Sequence, residues 1–283
     1  MDASTTVAAH PTGKIQWGMI HNMRARRALI SLVVFIVFWE VGSRSKEWFG
    51  VQFPWIGMVP PPTAVFATWG SLVLEPSYWM SWWDSSYRVF FGFIAAMILG
   101  IPFGLLMAVG KKFRDTAFPV FEVFRPIPPL AWVPASIIFW PTQELSIAFV
   151  TFYGAFFTVV LNVVGGARSI DVRYFQSARS MGANNWDIFR RIILPGTLPS
   201  IVIGATVGMG ITWEVVVAAE MISGGGSMGA AGGGLGFFIW NSYVGGAYPQ
   251  IVVGMISIGI AGYISSTLIR WVGTRLTPWL RLR

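Results

Sequence analysis

Residues 89–110 form an unbroken run without Asp, Glu, Lys or Arg, and this run constrains the chain more than any other feature. A helix needs about 20 mainly apolar residues to cross a bilayer core about 30 Å thick. Inside lipid every backbone N–H and C=O must be paired within the protein, so a charge-free segment of this length reads as a spanning helix. Five further segments have the same character, at residues 28–42, 126–140, 145–167, 199–222 and 247–271. The first follows Arg24, Arg26 and Arg27 and is interrupted near its end by Glu40. It lacks a small-residue cleavage site, so it reads as a retained span rather than a signal peptide. The third is proline-rich; its helix is expected to start near Ala117 and to carry Glu122 and Arg125 at its inner end. The fifth holds two acids, Glu214 and Glu220. The fold expected is therefore all-α, a polytopic membrane protein with about six transmembrane helices.

Composition supports lipid as the main solvent. Hydrophobic residues make up 54% of the chain and charged residues 11%, against about 25% charged in soluble domains; mean hydropathy is +0.62. The net charge of +8 would suggest nucleic acid in a soluble protein. Here the basic residues lie between apolar runs, so the partner they imply is the lipid bilayer, with no nucleic acid. The absence of cysteine excludes disulfide and thiolate chemistry. The two histidines, His10 and His21, both lie in the N-terminal tail, which argues against a histidine metal site or a catalytic triad and for a chain that is not itself an enzyme.

Charge asymmetry gives an orientation. The N-terminal tail, residues 111–115, residues 168–191 and the C-terminal tail carry most of the Lys and Arg, whereas the alternate loops hold only Arg44 and Lys46, with Arg88 near the outer surface. Cytoplasmic loops are enriched in Lys and Arg, so both termini are expected in the cytoplasm. The expected organisation is a tail at residues 1–27 and one transmembrane domain at 28–283. Two outer segments are more than loops. In residues 63–74, Val65, Trp69, Leu72 and Val73 share one helical face, which suits an interfacial or a packing helix. Residues 223–246 are glycine-rich but contain no phosphate-loop pattern, so no nucleotide site is expected in this chain.

The cytoplasmic loop at residues 168–198 carries the motif with a function. It reads Gln176, Ser177, Ala178, Arg179, Ser180, Met181, Gly182, then nine residues, then Ile192, Ile193, Leu194, Pro195. Tyr174 to Met181 can form a short helix ended by Gly182. The small residues Ser177, Ala178 and Ser180 would let another protein approach closely. Asn184 or Asn185 can cap a second short helix, and Pro199 fits the first turn of the fifth span. An ordinary basic loop is the plain alternative.

This loop resembles the E-A-A-x-x-x-G-x(9)-I-x-L-P signature of permeases of binding-protein-dependent ABC importers. Gln176 stands in place of its Glu and Ser177 in place of its first Ala. Tyr174, Gln176, Ser177, Ala178, Arg179, Ser180, Met181, Gly182, Ala183, Ile192, Leu194 and Pro195 are the expected ATPase-coupling residues. Arg125 to Pro134, Pro60 to Pro62, and Val217 to Met221 are similar to segments of nitrate, taurine, alkanesulfonate and bicarbonate permeases, and Leu276 to Trp279 most resembles taurine permeases. The resemblance implies a type I importer fold and a permease homodimer with two ATPase subunits inside and a substrate-binding protein outside. ATP and Mg would be bound by the partner ATPase, with no cofactor in this chain. Arg125, Trp132, Trp213, Glu214 and Glu220 are candidate pathway residues, each with a structural alternative: Arg125 can pair with Glu122, Glu220 can hold helices together, Glu214 can bond a neighbouring helix, and the tryptophans can simply pack. Glu214 could also meet a substrate ammonium. A secondary transporter would commonly show inverted repeats, and no convincing repeat is present.

Overall fold

The computed structural model describes residues 17–223 and 233–279, with side chains from residue 26 onward. The tail at 1–16, the glycines between 224 and 232, and Arg281 and Arg283 lie outside the described residues. The chain divides into two compact units, Met1–Ala64 and Val65–Arg283.

In the first unit, α1 (Trp17–Ser43) is followed by α2 (Ser45–Phe49) and a 3₁₀ turn at Ile56–Met58. Leu29, Leu32, Val33, Phe35 and Phe38 are exposed and distributed around α1 rather than along one stripe, as suits a helix in lipid. Glu40, which interrupts the apolar run, is fully engaged. It accepts from Arg44 Nε at 2.5 Å, from the Thr63 amide at 3.1 Å and from Thr63 Oγ1 at 3.0 Å.

α3 (Pro62–Leu72) begins at the junction of the units, and α4 (Pro76–Val109) follows. The expected third span is not one helix. α5 (Lys111–Phe124) ends at Arg125, a 3₁₀ turn covers Pro129–Trp132, and α6 (Val133–Phe139) is short. The cause lies in Pro126, Pro128, Pro129 and Pro134: each lacks a backbone N–H and disfavours helical geometry in the residue before it. α7 (Gln143–Arg168), α8 (Val172–Ser180) and α9 (Asn185–Ile188) come next, then a π turn at Phe189–Ile193 that runs directly into α10 (Leu194–Ser223). The fifth span thus continues an unbroken helical stretch that starts at Asn185, and Pro199 sits inside α10 rather than in its first turn. α11 (Gly234–Val244) and α12 (Tyr248–Leu276) complete the chain. Among the described residues, four stretches are long and apolar enough to cross a membrane: Pro76–Val109, Gln143–Arg168, Asn185–Ser223 and Tyr248–Leu276.

Close packing between α4, α7 and α10 forms the centre. Small residues let membrane helices approach, and here the fit is tight: a Cβ at Gly104 would lie 2.8 Å from Val163, and one at Gly204 would lie 2.7 Å from Asn162. Val89, Val150, Ala155, Met209 and Val216 fill the core between these helices. Buried hydroxyls bond back along their own helices, as in Thr151 to Ile147 O, Thr197 to Ile193 O and Thr212 to Gly208 O, so they need no water. Outward, α4 exposes Phe91, Ile94, Ile98, Leu99 and Leu106. This apolar-out arrangement matches a lipid environment.

Candidate functional site

The loop at residues 168–198 folds as a helix–turn–helix. Asp171 caps α8 by accepting from the Arg173 amide at 2.9 Å, and the Arg173 guanidinium folds back onto the same carboxylate at 2.5 Å. These contacts hold Asp171 below the usual carboxylate range. At the other end Gly182 adopts φ +81°. Its N–H donates to Arg179 O at 3.0 Å, and the Ala183 N–H donates to Ala178 O at 3.0 Å. This paired closure is the Schellman arrangement, which requires a left-handed residue at that point. Asn184 then caps α9 by accepting from the Asp187 amide at 2.8 Å.

Packing divides the expected coupling residues into two sets. Tyr174, Gln176, Ser177, Arg179, Ser180, Met181 and Gly182 are exposed; Met181 is 81% exposed. Ala178 is buried, and it packs with Ile188, Ile193 and Ile201 beside the partly buried Ala183, Ile192 and Leu194. Ala178 therefore does not present a surface to another protein, as the sequence suggested. It fixes α8 against α9 and the start of α10. Pro195 is half-buried within α10. Ala178→Asp is expected to loosen α8 by burying an unpaired carboxylate, at a cost of roughly 3 kcal/mol or more. Limited proteolysis in detergent should then cut near Met181 while the spans stay intact; unchanged resistance would count against this packing role.

The pathway candidates scatter. Arg125, exposed, donates to the half-buried Glu122 at 2.8 Å. Trp132 stacks in an aromatic cluster with Phe124, Phe149 and Tyr153. Trp213 is buried and donates its indole N–H to Ser265 Oγ at 3.0 Å, which makes it a strut between α10 and α12. Glu214, by contrast, is exposed on α10.

Glu220 is fully buried at the centre of a polar node that joins four helices. It accepts from Arg88 Nη1 at 2.9 Å, from Ser85 Oγ at 2.8 Å and from the Gly236 amide at 2.9 Å. Arg88, 3% exposed, also clasps Glu144 through Nε at 2.8 Å and Nη2 at 2.5 Å, and donates to Gly233 O at 3.2 Å. Ser85 Oγ accepts from the Leu235 amide at 2.8 Å. The first amides of α11, which a helix leaves unpaired, are thus met by side chains of α4 and α10. Gly234, at φ +85°, makes this approach possible, because a Cβ there would collide with the Glu220 carboxylate. Arg88, Glu144 and Ser85 were not among the sequence candidates. Arg88 reads as an outer-surface residue because it stands at the edge of the charge-free run; its signal was that an ionisable side chain at span depth demands a partner.

The family described as "Binding-protein-dependent transport system inner membrane component" matches residues 100–282. The chain is similar to the nitrate import permease protein NrtB of Synechocystis sp., at 29% identity over 98% of each chain. It is also similar to the NrtB of Leptolyngbya laminosa, at 31% identity over 77% of this chain and 78% of that one. The taurine transport system permease protein TauC of Escherichia coli is 30% identical over 78% of this chain and 80% of that one. Among solved structures, an inward-facing conformation of the MetNI methionine ABC transporter matches with TM-score 0.56 at 23% identity, over 72% of this chain and 97% of that one. A bacterial alginate ABC transporter in complex with an alginate-bound periplasmic protein matches with TM-score 0.56 at 13% identity, over 92% of this chain and 98% of that one; these structural likenesses bear on the fold.

Proposed function

Since the chain belongs to the family of inner-membrane components of binding-protein-dependent transport systems, we propose that it is the permease subunit of an ATP-driven importer for a small polar solute of the sulfonate type, taurine foremost. Two copies would form the translocation unit, two ATPase subunits would bind ATP and Mg on the cytoplasmic side, and an extracytoplasmic binding protein would deliver the solute. This chain would couple and conduct without hydrolysing ATP. The observation that carries the reading is the α8–α9 element. Its outer face is exposed and its inner face is keyed into α10 through Ala178, Ile188 and Ile193, so a push on the exposed face is delivered to a spanning helix. Nitrate or bicarbonate is the second reading of the substrate; nitrate is supported by nitrate import permeases among the relatives, beside the taurine permease.

The experiment is co-purification of the tagged chain from its native membrane. The expected result is an ATPase subunit in stable association and ATP-dependent uptake after reconstitution with the binding protein. Uptake without any ATPase would sink the proposal. The same reading places both termini and α8 inside. With single cysteines at positions 180 and 223, an impermeant thiol reagent outside intact cells should label only the Ser223→Cys chain. Labelling of Ser180→Cys would reverse the orientation.

A further inference from the structure

We propose that Glu214 selects the charge of the transported solute: the path accepts a small solute bearing a positively charged nitrogen and rejects a bare oxyanion. The inference deepens the importer reading and rests on it.

α10 is flanked in the second unit by α4, α7, α11 and α12, and one narrow face stays open. Ile203, Val207, Gly210 and Glu214 follow one another on it at spacings of four, three and four residues, and all are exposed. Such spacing keeps side chains on one side of a helix. Ser200 continues the same stripe toward the cytoplasm. There it lines an open groove of about 400 Å³ together with Leu161, Asn162, Gly165, Gly166 and Ser169. The open face therefore runs from this groove, which carries Asn162, Ser169 and Ser200, to a carboxylate. Glu214 has no hydrogen bond or ion pair among the described residues, unlike Glu220 further along the same helix. A carboxylate facing hydrocarbon is costly, and ionisable residues at span depth face bundle interiors or water-filled paths.

The surrounding charge decides which solute suits that face. Within the spanning helices α4, α7 and α10, the outer half carries Asp84, Glu144, Glu214 and Glu220 against the single guanidinium of Arg88. Arg88 is committed to Glu144 and Glu220, and Arg125 is held by Glu122. Among the described residues of the second unit, no other basic side chain lies at this level to receive an oxyanion, and in a homodimer the carboxylate would occur twice along the path. Nitrate or bicarbonate would meet repulsion there. An ammonium or similar cationic group would supply the partner that Glu214 lacks, whether or not the solute also carries a sulfonate or carboxylate.

The test uses the intact complex of permease, ATPase and cognate binding protein. The solute eluted from the binding protein is identified by mass spectrometry, and the same solute then serves as the uptake probe. A charged nitrogen is expected in it; nitrate, bicarbonate or a simple alkanesulfonate would overturn the proposal. Glu214→Gln should lower uptake of that solute at least tenfold, with ATPase association and basal ATP turnover kept, and Glu214→Asp should recover part of the loss. Full uptake by Glu214→Gln also overturns the proposal. Failure of the unmutated complex to hold an ATPase would instead bring down the importer reading itself, so the two failures are distinct.

Discussion

Arg88→Ala is expected to destabilise the folded permease by about 3–5 kcal/mol, because it strips from the buried Glu220 carboxylate the one cation that meets it among the described residues. Glu220 has no exposed surface and Arg88 only 3%, so water cannot replace the lost guanidinium. The damage should spread beyond one contact. Arg88 joins Glu144 of α7 to Glu220 of α10 and holds Gly233 O at the entry to α11. Thermal unfolding of the detergent-solubilised chain should shift to lower temperature, and α11 should become accessible to protease.

A second variant separates charge from packing. If the loss comes from the uncompensated Glu220 carboxylate, Arg88→Ala combined with Glu220→Gln should be more stable than Arg88→Ala alone, because the amide carries no charge to strand. Ser85→Ala removes one neutral partner and should cost only about 1 kcal/mol. Equal losses for Ser85→Ala and Arg88→Ala would show that the node is held by shape rather than by ion pairing.

The contrast between Arg88 and Ala178 shows what the sequence could convey. Spanning helices were legible because apolar length is a local property: Val89 to Gly110 announces itself without knowledge of any neighbour. The end of α8 at Gly182 was legible for the same reason, since a helix stop needs only a residue tolerant of positive φ. Which way Ala178 faces was not legible, because a small residue suits a foreign surface and a tight internal contact equally well. The broken third span was half legible. Its prolines stood in plain view, yet the apolar count alone favoured one helix over α5, a break and α6. The node was hidden for a different reason. Arg88, Glu144 and Glu220 are separated by 56 and 76 positions in the chain, and only the packing of α4, α7 and α10 makes them one group. Conversely, Trp213 and Glu214 are adjacent in sequence but part company in the fold, since neighbouring residues on a helix point about 100° apart: the indole is buried against Ser265 and the carboxylate lies on the open face.

Gly182→Val is expected to uncouple the permease from its ATPase while leaving the spans inserted. Gly182 holds φ +81°, a region in which an ordinary side chain costs about 1–2 kcal/mol and a β-branched one more. The space around Gly182 is open, with nothing within 4 Å of a Cβ built there. The strain is therefore in the backbone, and it acts on the two hydrogen bonds that close α8, from Gly182 N–H to Arg179 O and from Ala183 N–H to Ala178 O. Their loss frees Ala183 and Ala178 from the cluster that seats α8 on α9. The exposed face bearing Tyr174, Ser177 and Met181 would then no longer move as one body with α10. ATPase pull-down or solute uptake should fall severely, with ATP turnover in the assembled fraction no longer matched by transport, while the yield in the membrane stays unchanged. Gly182→Asn is the control: asparagine tolerates left-handed geometry far better than valine, so it should retain most of the coupling. If valine and asparagine behave alike, backbone strain is not the cause. If valine keeps both full association and full uptake, α8 and α9 are not the coupling element.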